Sequence, residues 1–319
     1  MNGLELCERY FIEVGLPMLA ATFPSHVDRI AAGLVGEGSE CLGFDDELSR
    51  DHDWGPSFCL WLSRDDHLEI GPALRDEINR LPRDFEGTPA RSESAWGSGR
   101  TGVFEVGSFY RRFIGLDHPP TSLREWRAIP EGNLAVATSG KIFRDPSGEF
   151  TDFRERLLAF YPEDIRLKKI AARCMSMAQA GQYNYPRCIH RGEAVAAEYA
   201  KSQFAADAIS MVFLLNRCYR PFYKWMHRAL KGLPLLGDVT HELCTRLFAT
   251  SGQGVEKLDS GTGCDLIEQI CHCVIGQLRR ERLSSSHSDF LLDHGPQVLL
   301  RVEDPDLRSS NVWVDQTSG

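Results

Sequence analysis

Nowhere does this sequence hold the roughly 18–20 consecutive apolar residues that a membrane-spanning helix requires. It does not open like a secretory leader either. Glu5, Glu8, Arg9 and Glu13 interrupt its first apolar pattern, where a leader has a basic start and then an unbroken apolar run. Both absences predict a cytoplasmic protein with no membrane partner. A basic surplus is missing as well. The net charge of −9 argues against broad coating of nucleic acid, which needs a positive surface. There is no internal repeat and no low-complexity tract. The ten cysteines do not form paired knuckles. Cys264, Cys271, His272 and Cys273 have the wrong spacing for such a zinc site, and residues 266–278 read as one buried helix. Most of the cysteines stand in apolar periodic segments, where a thiol acts as a small hydrophobe.

What is present is ordinary for a globular chain. Its 319 residues, 42% hydrophobic and 25% charged, suffice for one large or two ordinary domains. Leu4, Cys7, Phe11, Val14 and Met18 recur at helical spacing and predict an opening amphipathic helix. A second helix is expected from Pro24 to about Leu34, then a Gly-rich turn over 36–39. Strands are expected at 57–62 and 103–106, with a helix at 74–81 and a long Gly/Ser-rich loop over 86–102. Beyond about residue 120 helical patterns dominate, at 151–160, 163–179, 190–217, 222–231, 238–249 and 262–281. Residues 297–302 read as a possible edge strand. The fold expected is α+β. A small mixed sheet occupies residues 1–148 and an all-helical domain 149–319, the end of the latter partly mobile.

One stretch concentrates chemistry. Gly38-Ser39 is followed after nine residues by Ser49-Arg50-Asp51-His52-Asp53, which leads into the apolar run 57–62. If Asp51 and Asp53 lie on the approach to that strand, period-two geometry turns both carboxylates to one face. A hard divalent cation relieves their repulsion, and Mg²⁺ typically binds one or two carboxylates plus phosphate oxygens. The turn at Gly38 and Ser39 offers backbone N–H groups and a hydroxyl to a phosphate chain. The plain alternative is a solvated turn. Glu105 interrupts a β-type run and either supplies a third carboxylate or faces water on an edge strand. Residues 208–237 contain no Asp or Glu, yet carry Arg217, Arg220, Lys224, Arg228 and Lys231. On one helix these five would form a stripe about 80° wide, fit to neutralise a triphosphate. The alternative is a solvated face.

His52-Asp53 also resembles the dipeptide of HD-type metal phosphohydrolases, but there it sits on a helix. The whole run Gly38-Ser39-Glu40-Cys41-Leu42-Gly43-Phe44-Asp45-Asp46-Glu47-Leu48-Ser49-Arg50-Asp51-His52-Asp53 resembles the signature of the polymerase-β-type nucleotidyltransferase superfamily. With Leu214-Leu215-Asn216-Arg217-Cys218-Tyr219-Arg220-Pro221-Phe222-Tyr223-Lys224-Trp225, it is similar to an uncharacterised bacterial branch of that superfamily. In architecture the antibiotic adenylyltransferases are the nearest well-understood relatives. The resemblance implies Mg²⁺ and ATP or another NTP. It implies transfer of a nucleoside monophosphate to a hydroxyl of a small molecule or protein, with release of pyrophosphate. Gly38 and Ser39 would hold the β/γ-phosphates, Asp51 and Asp53 the metal, and Glu105 the third-carboxylate position. Arg217, Arg220 and Lys224 would meet the triphosphate. A catalytically silent nucleotide- or partner-binding module of the same fold is the alternative.

Overall fold

The computed structural model describes residues 2–82, 84–89, 91, 99–249 and 260–315. The chain divides into two compact units: 1–121 with 133–159, and 122–132 with 160–319.

The first unit opens with α1 (Gly3–Tyr10). Its Asn2 side chain accepts the Glu5 N–H while the Glu5 carboxylate accepts the Asn2 N–H, a reciprocal cap. A π-helical turn, Phe11–Gly15, carries α1 into α2 (Leu16–Thr22). The expected second helix over 24–34 is replaced by a 3-10 turn, Val27–Arg29, and then β1 (Ala31–Leu34). Next come β2 (Cys59–Leu62), α3 (Arg64–Asn79), a small hairpin of β3 (Asp84–Phe85) and β4 (Thr88–Pro89), β5 (Gly102–Glu105) and α4 (Val106–Ile114). The chain then passes through α5 (Leu123–Ala128) and returns along α6 (Glu131–Thr138) to β6 (Lys141–Arg144) and α7 (Glu149–Leu158). Residues 90 and 92–98 of the long loop expected over 86–102 lie outside the described residues.

The main sheet has the order β5-β2-β1-β6. β2 runs parallel to β5, and β1 runs antiparallel to both β2 and β6. All four residues of β1 are buried. Gly33 belongs there because a Cβ would stand 2.5 Å from the Lys141 carbonyl oxygen. One face of the sheet is closed by Trp61, whose ring stacks on Phe150 at 3.8 Å. Tyr110 stacks on Phe153 at 3.8 Å. Those contacts explain why the first unit ends after Ala159 and not at 148. Phe150, Phe153 and Leu157 of α7 bury their side chains among its aromatics. On the other face Leu6, Phe11, Leu19, Phe58, Leu60 and Leu74 share one apolar cluster.

The second unit is helical. Its centre is α8 (Glu163–Met177), buried from Ile165 onward, and a π-helical turn takes it into α9 (Tyr185–His190). The long α10 (Ala194–Leu215) packs on α8. Then follow the short α11 (Tyr223–Met226), α12 (Gly237–Ala249), α13 (Ser260–Arg280), α14 (Gly295–Leu299) and α15 (Pro305–Ser309). The edge strand considered for 297–302 is therefore helix α14 and the turn after it. Arg166 and Lys168, buried cations on α8, find oxygen partners, which offset the cost of burying charge. Arg166 binds Glu163 and Glu281, and the Lys168 ammonium donates to the carbonyls of Asn311, Val312 and Val314. No helix among the described residues is long and apolar enough to cross a membrane.

Candidate functional site

β1 delivers the chain into the turn 36–39. Gly36 (φ +125°) and Gly38 (φ +130°) hold conformations that L side chains rarely adopt. The Ser139 hydroxyl donates to the Gly36 carbonyl at 2.7 Å, and the Gly140 N–H to the Cys41 carbonyl at 2.7 Å. The Arg154 guanidinium in turn holds the carbonyls of Thr138, Ser139 and Gly140. Behind the turn Glu40, 2% exposed, forms a buried ion pair with Arg91. This is a braced backbone turn. Gly38 and Ser39 remain partly exposed on its outer side.

The acidic stretch that follows is a loop, and most of its charges have structural work. The Asp45 carboxylate accepts the Gly3 N–H at 2.7 Å and the Trp54 indole N–H at 3.1 Å. Asp46 caps the 3-10 turn Glu47–Arg50 through a reciprocal bond with Ser49. Asp51 is exposed, with its carboxylate 2.7 Å from His52 Nδ1. Asp53 is buried, 5% exposed, with φ +52°. The shared face expected for the two aspartates is thus not formed on a strand. Residues 51–53 make a bend, β2 begins only at Cys59, and the left-handed residue turns Asp53 inward while Asp51 faces water.

What the fold gathers around Asp53 includes two residues that sequence reasoning missed. Arg100 Nη1 lies 3.5 Å from Asp53 Oδ2, and Arg100 Nε lies 3.3 Å from Glu37 Oε2. Glu37 immediately precedes Gly38 and Ser39, so one guanidinium spans the Gly-Ser turn and the inward aspartate. The Arg100 carbonyl accepts from the Cys59 thiol at 3.3 Å, which anchors this arginine beside the start of β2. Burial pushes the Cys59 thiol up to about 12, so it stays protonated and structural. The only sequence signal for Glu37 and Arg100 was adjacency: one flanks the Gly-Ser turn and the other the strand entry at Gly102.

Glu105 is not part of this gathering. It caps α4, accepting the N–H groups of Gly107 at 2.8 Å and Ser108 at 2.6 Å. Burial alone would push its carboxyl up, but hydrogen bonds from Ser108 and Gly107 hold it below the usual glutamate value. It ends β5 beside Leu62, whereas Arg100 and Asp53 precede the starts of β5 and β2. On a parallel pair those are opposite ends, and three residues of strand separate them by about 10 Å.

The basic stripe is corrected too. Residues 216–222 leave the helix, α11 spans only Tyr223–Met226, and a separate 3-10 turn covers Arg228–Leu230. No common helical face carries the five cations. Pro221 lacks the N–H a continuous helix needs, and Arg217 stands at φ +53°. Arg217 pairs with Glu163 at 2.7 Å. Arg220 turns inward: its N–H donates to Glu131 Oε1 at 3.4 Å, and its Nε lies 3.8 Å from Glu131 Oε2. Glu131 also receives the Ser210 hydroxyl at 3.1 Å and lies 3.9 Å from Arg173, itself 3.8 Å from the fully buried Asp207. Arg220 therefore belongs to a buried ionic network of the helical unit. Lys224 is exposed, its ammonium 5.0 Å from the Trp225 ring centre.

Residues 126–226 match the model of a family described as a domain of unknown function (DUF4037). The resemblance to an uncharacterised branch, read partly from residues 214–225, is borne out there. The matched stretch holds Glu131, Arg173, Asp207 and Arg220, and does not reach residues 38–53. No curated protein matches the chain. Among solved structures, a nucleotidyltransferase-like protein from Exiguobacterium sibiricum 255-15 is similar at a TM-score of 0.36 and 13% identity, over 85% of this chain and 81% of that one.

Proposed function

We propose that this chain is a Mg²⁺-dependent nucleotidyltransferase that moves a nucleoside monophosphate, AMP from ATP, onto a hydroxyl of a small molecule or protein and releases pyrophosphate. The observation that carries this reading is the pairing of the braced turn 36–39 with the inward Asp53 through Arg100. Glu37 and Asp53 together already hold one cationic group, so this pocket favours positive charge. Glu37 and Asp53, which face one cation, offer the carboxylate oxygens a hard divalent ion takes, and Asp51 would have to turn inward to join them. When bound, Mg²⁺ would neutralise phosphate charge. The chain's own part is to bind and orient. Backbone N–H groups at Gly38 and Ser39 would donate to phosphate oxygens, and Asp51 and Asp53 would hold the metal. Arg100 is placed to meet negative charge building on the leaving pyrophosphate, where fixed charge lowers the barrier most.

The test is pyrophosphate release from each NTP with Mg²⁺, against a panel of metabolites, aminoglycosides and proteins. Release that depends on Mg²⁺, on one NTP and on an acceptor supports the reading. The second reading, a silent binding module of the same fold, is favoured by one feature: Asp51 and Asp53 diverge, and Arg100 already neutralises Asp53. Mg²⁺-dependent ATP binding with no release under any acceptor would favour that module.

A further inference from the structure

A cluster of one imidazole and two carboxylates stands at the opposite end of β1 from the turn 36–39. β1 and β2 are antiparallel, with Ala31 opposite Trp61. The segment entering β1 therefore meets the helix that leaves β2. His26 comes from the first, and Asp66 and Glu69 come from the opening turns of α3. The positions at i and i+3 set both carboxylates on one face of that helix. One ligand atom from each of His26, Asp66 and Glu69 lies within 4.8 Å of the others.

The imidazole is the telling group. His26 is 9% exposed, and its Nε2 makes no hydrogen bond although it is buried. That nitrogen lies 3.4 Å from Glu69 Oε1. A buried polar atom without a hydrogen bond is costly and rare. The other ring nitrogen, Nδ1, sits 3.0 Å from the Ser25 hydroxyl. A ligating histidine commonly gives its second N–H to such an outer partner, which fixes the ring and leaves the first nitrogen's lone pair free. Asp66 is likewise oriented from outside. Arg29 donates to both its oxygens, at 2.7, 3.0 and 3.3 Å, and a carboxylate keeps further lone pairs for a metal.

We propose that His26, Asp66 and Glu69 form a site for a divalent transition-metal ion of the Zn²⁺ class, separate from the nucleotide site. One imidazole nitrogen and two carboxylate oxygens suit Zn²⁺ and its neighbours better than Mg²⁺, which takes oxygen ligands. Its place between the entry to β1 and the start of α3 makes it a clamp on the sheet.

Co²⁺ is the probe, because its visible spectrum separates nitrogen and oxygen ligands from thiolates. The full chain carrying Asp51→Asn and Asp53→Asn is titrated with Co²⁺ and then with competing Zn²⁺. One equivalent of Co²⁺ is expected, with ligand-field bands, no thiolate charge-transfer band, and displacement by Zn²⁺. Glu69 is exposed, so Glu69→Gln leaves the fold intact and should weaken Co²⁺ binding. His26→Gln should weaken it by about 100-fold or more, and Ser25→Ala by about 10-fold, the span seen when ligand support is lost. No Co²⁺ bound, thiolate bands, or unchanged affinity in both Glu69→Gln and His26→Gln would overturn the site.

Discussion

Arg100 Nη1 stands 3.5 Å from the Asp53 carboxylate while its Nε faces Glu37 at 3.3 Å. A guanidinium cannot be deprotonated in a protein, so this cation is permanent. It fixes one positive charge between the turn 36–39 and Asp53. It also divides the aspartate pair, because Asp53 is buried against Arg100 and Asp51 points to water beside His52.

The two aspartates should therefore separate on stability and agree on function. Asp51→Asn is a surface change and should alter stability by no more than about 0.5 kcal/mol. Asp53→Asn leaves the half-buried Arg100 guanidinium with one partner fewer and should cost about 1–3 kcal/mol. Asn tolerates the left-handed backbone of Asp53, so no strain is added. Both variants should abolish Mg²⁺-dependent pyrophosphate release. Thermal melts and a release assay check this, and wild-type turnover in either variant would remove the metal assignment.

Arg100→Met tests the competition between guanidinium and metal. It leaves Glu37 and Asp53 without their cation. Mg²⁺ affinity without nucleotide should rise, on the order of tenfold, the size of effect one neighbouring charge has on a carboxylate. Turnover should fall, because the charge facing pyrophosphate is gone. Calorimetry of Mg²⁺ binding decides it; weaker binding would mean that the two carboxylates do not face a common cation.

Glu105→Ala should cost about 1 kcal/mol, the usual loss for a removed helix cap, and leave nucleotide binding unchanged. The cap also gives a pH signature. The folded pKa of Glu105 is lowered from 4.5. Its stabilisation is complete above that unfolded value and is lost as pH falls through the lower folded one. Denaturation curves from neutral to acid pH should show the difference between wild type and Glu105→Gln shrinking below about pH 4.5. A constant gap would contradict the capping role.

The sequence by itself determined the elements whose signal is local. The capped amphipathic start of α1, the β-rich runs of β2 and β5, and the long helices after residue 160 follow from periodicity and end signals. The glycine turn after β1 was legible because positive φ at Gly36 and Gly38 selects that residue. Only tertiary structure decided β1 itself. Ala31, Ala32 and Gly33 have little strand preference, and they pair there because β2 and β6 approach too closely for larger side chains. The same holds for the candidate site. Asp51 and Asp53 stand two apart in sequence, yet a single left-handed residue sends one inward and leaves the other in water. Arg100, which pairs with Asp53, comes from 47 residues after it, and Glu37, the other carboxylate on that guanidinium, from 16 before it. Spacing along the chain reports which face a side chain takes only while the backbone is regular; across a bend, the packing of distant segments sets it.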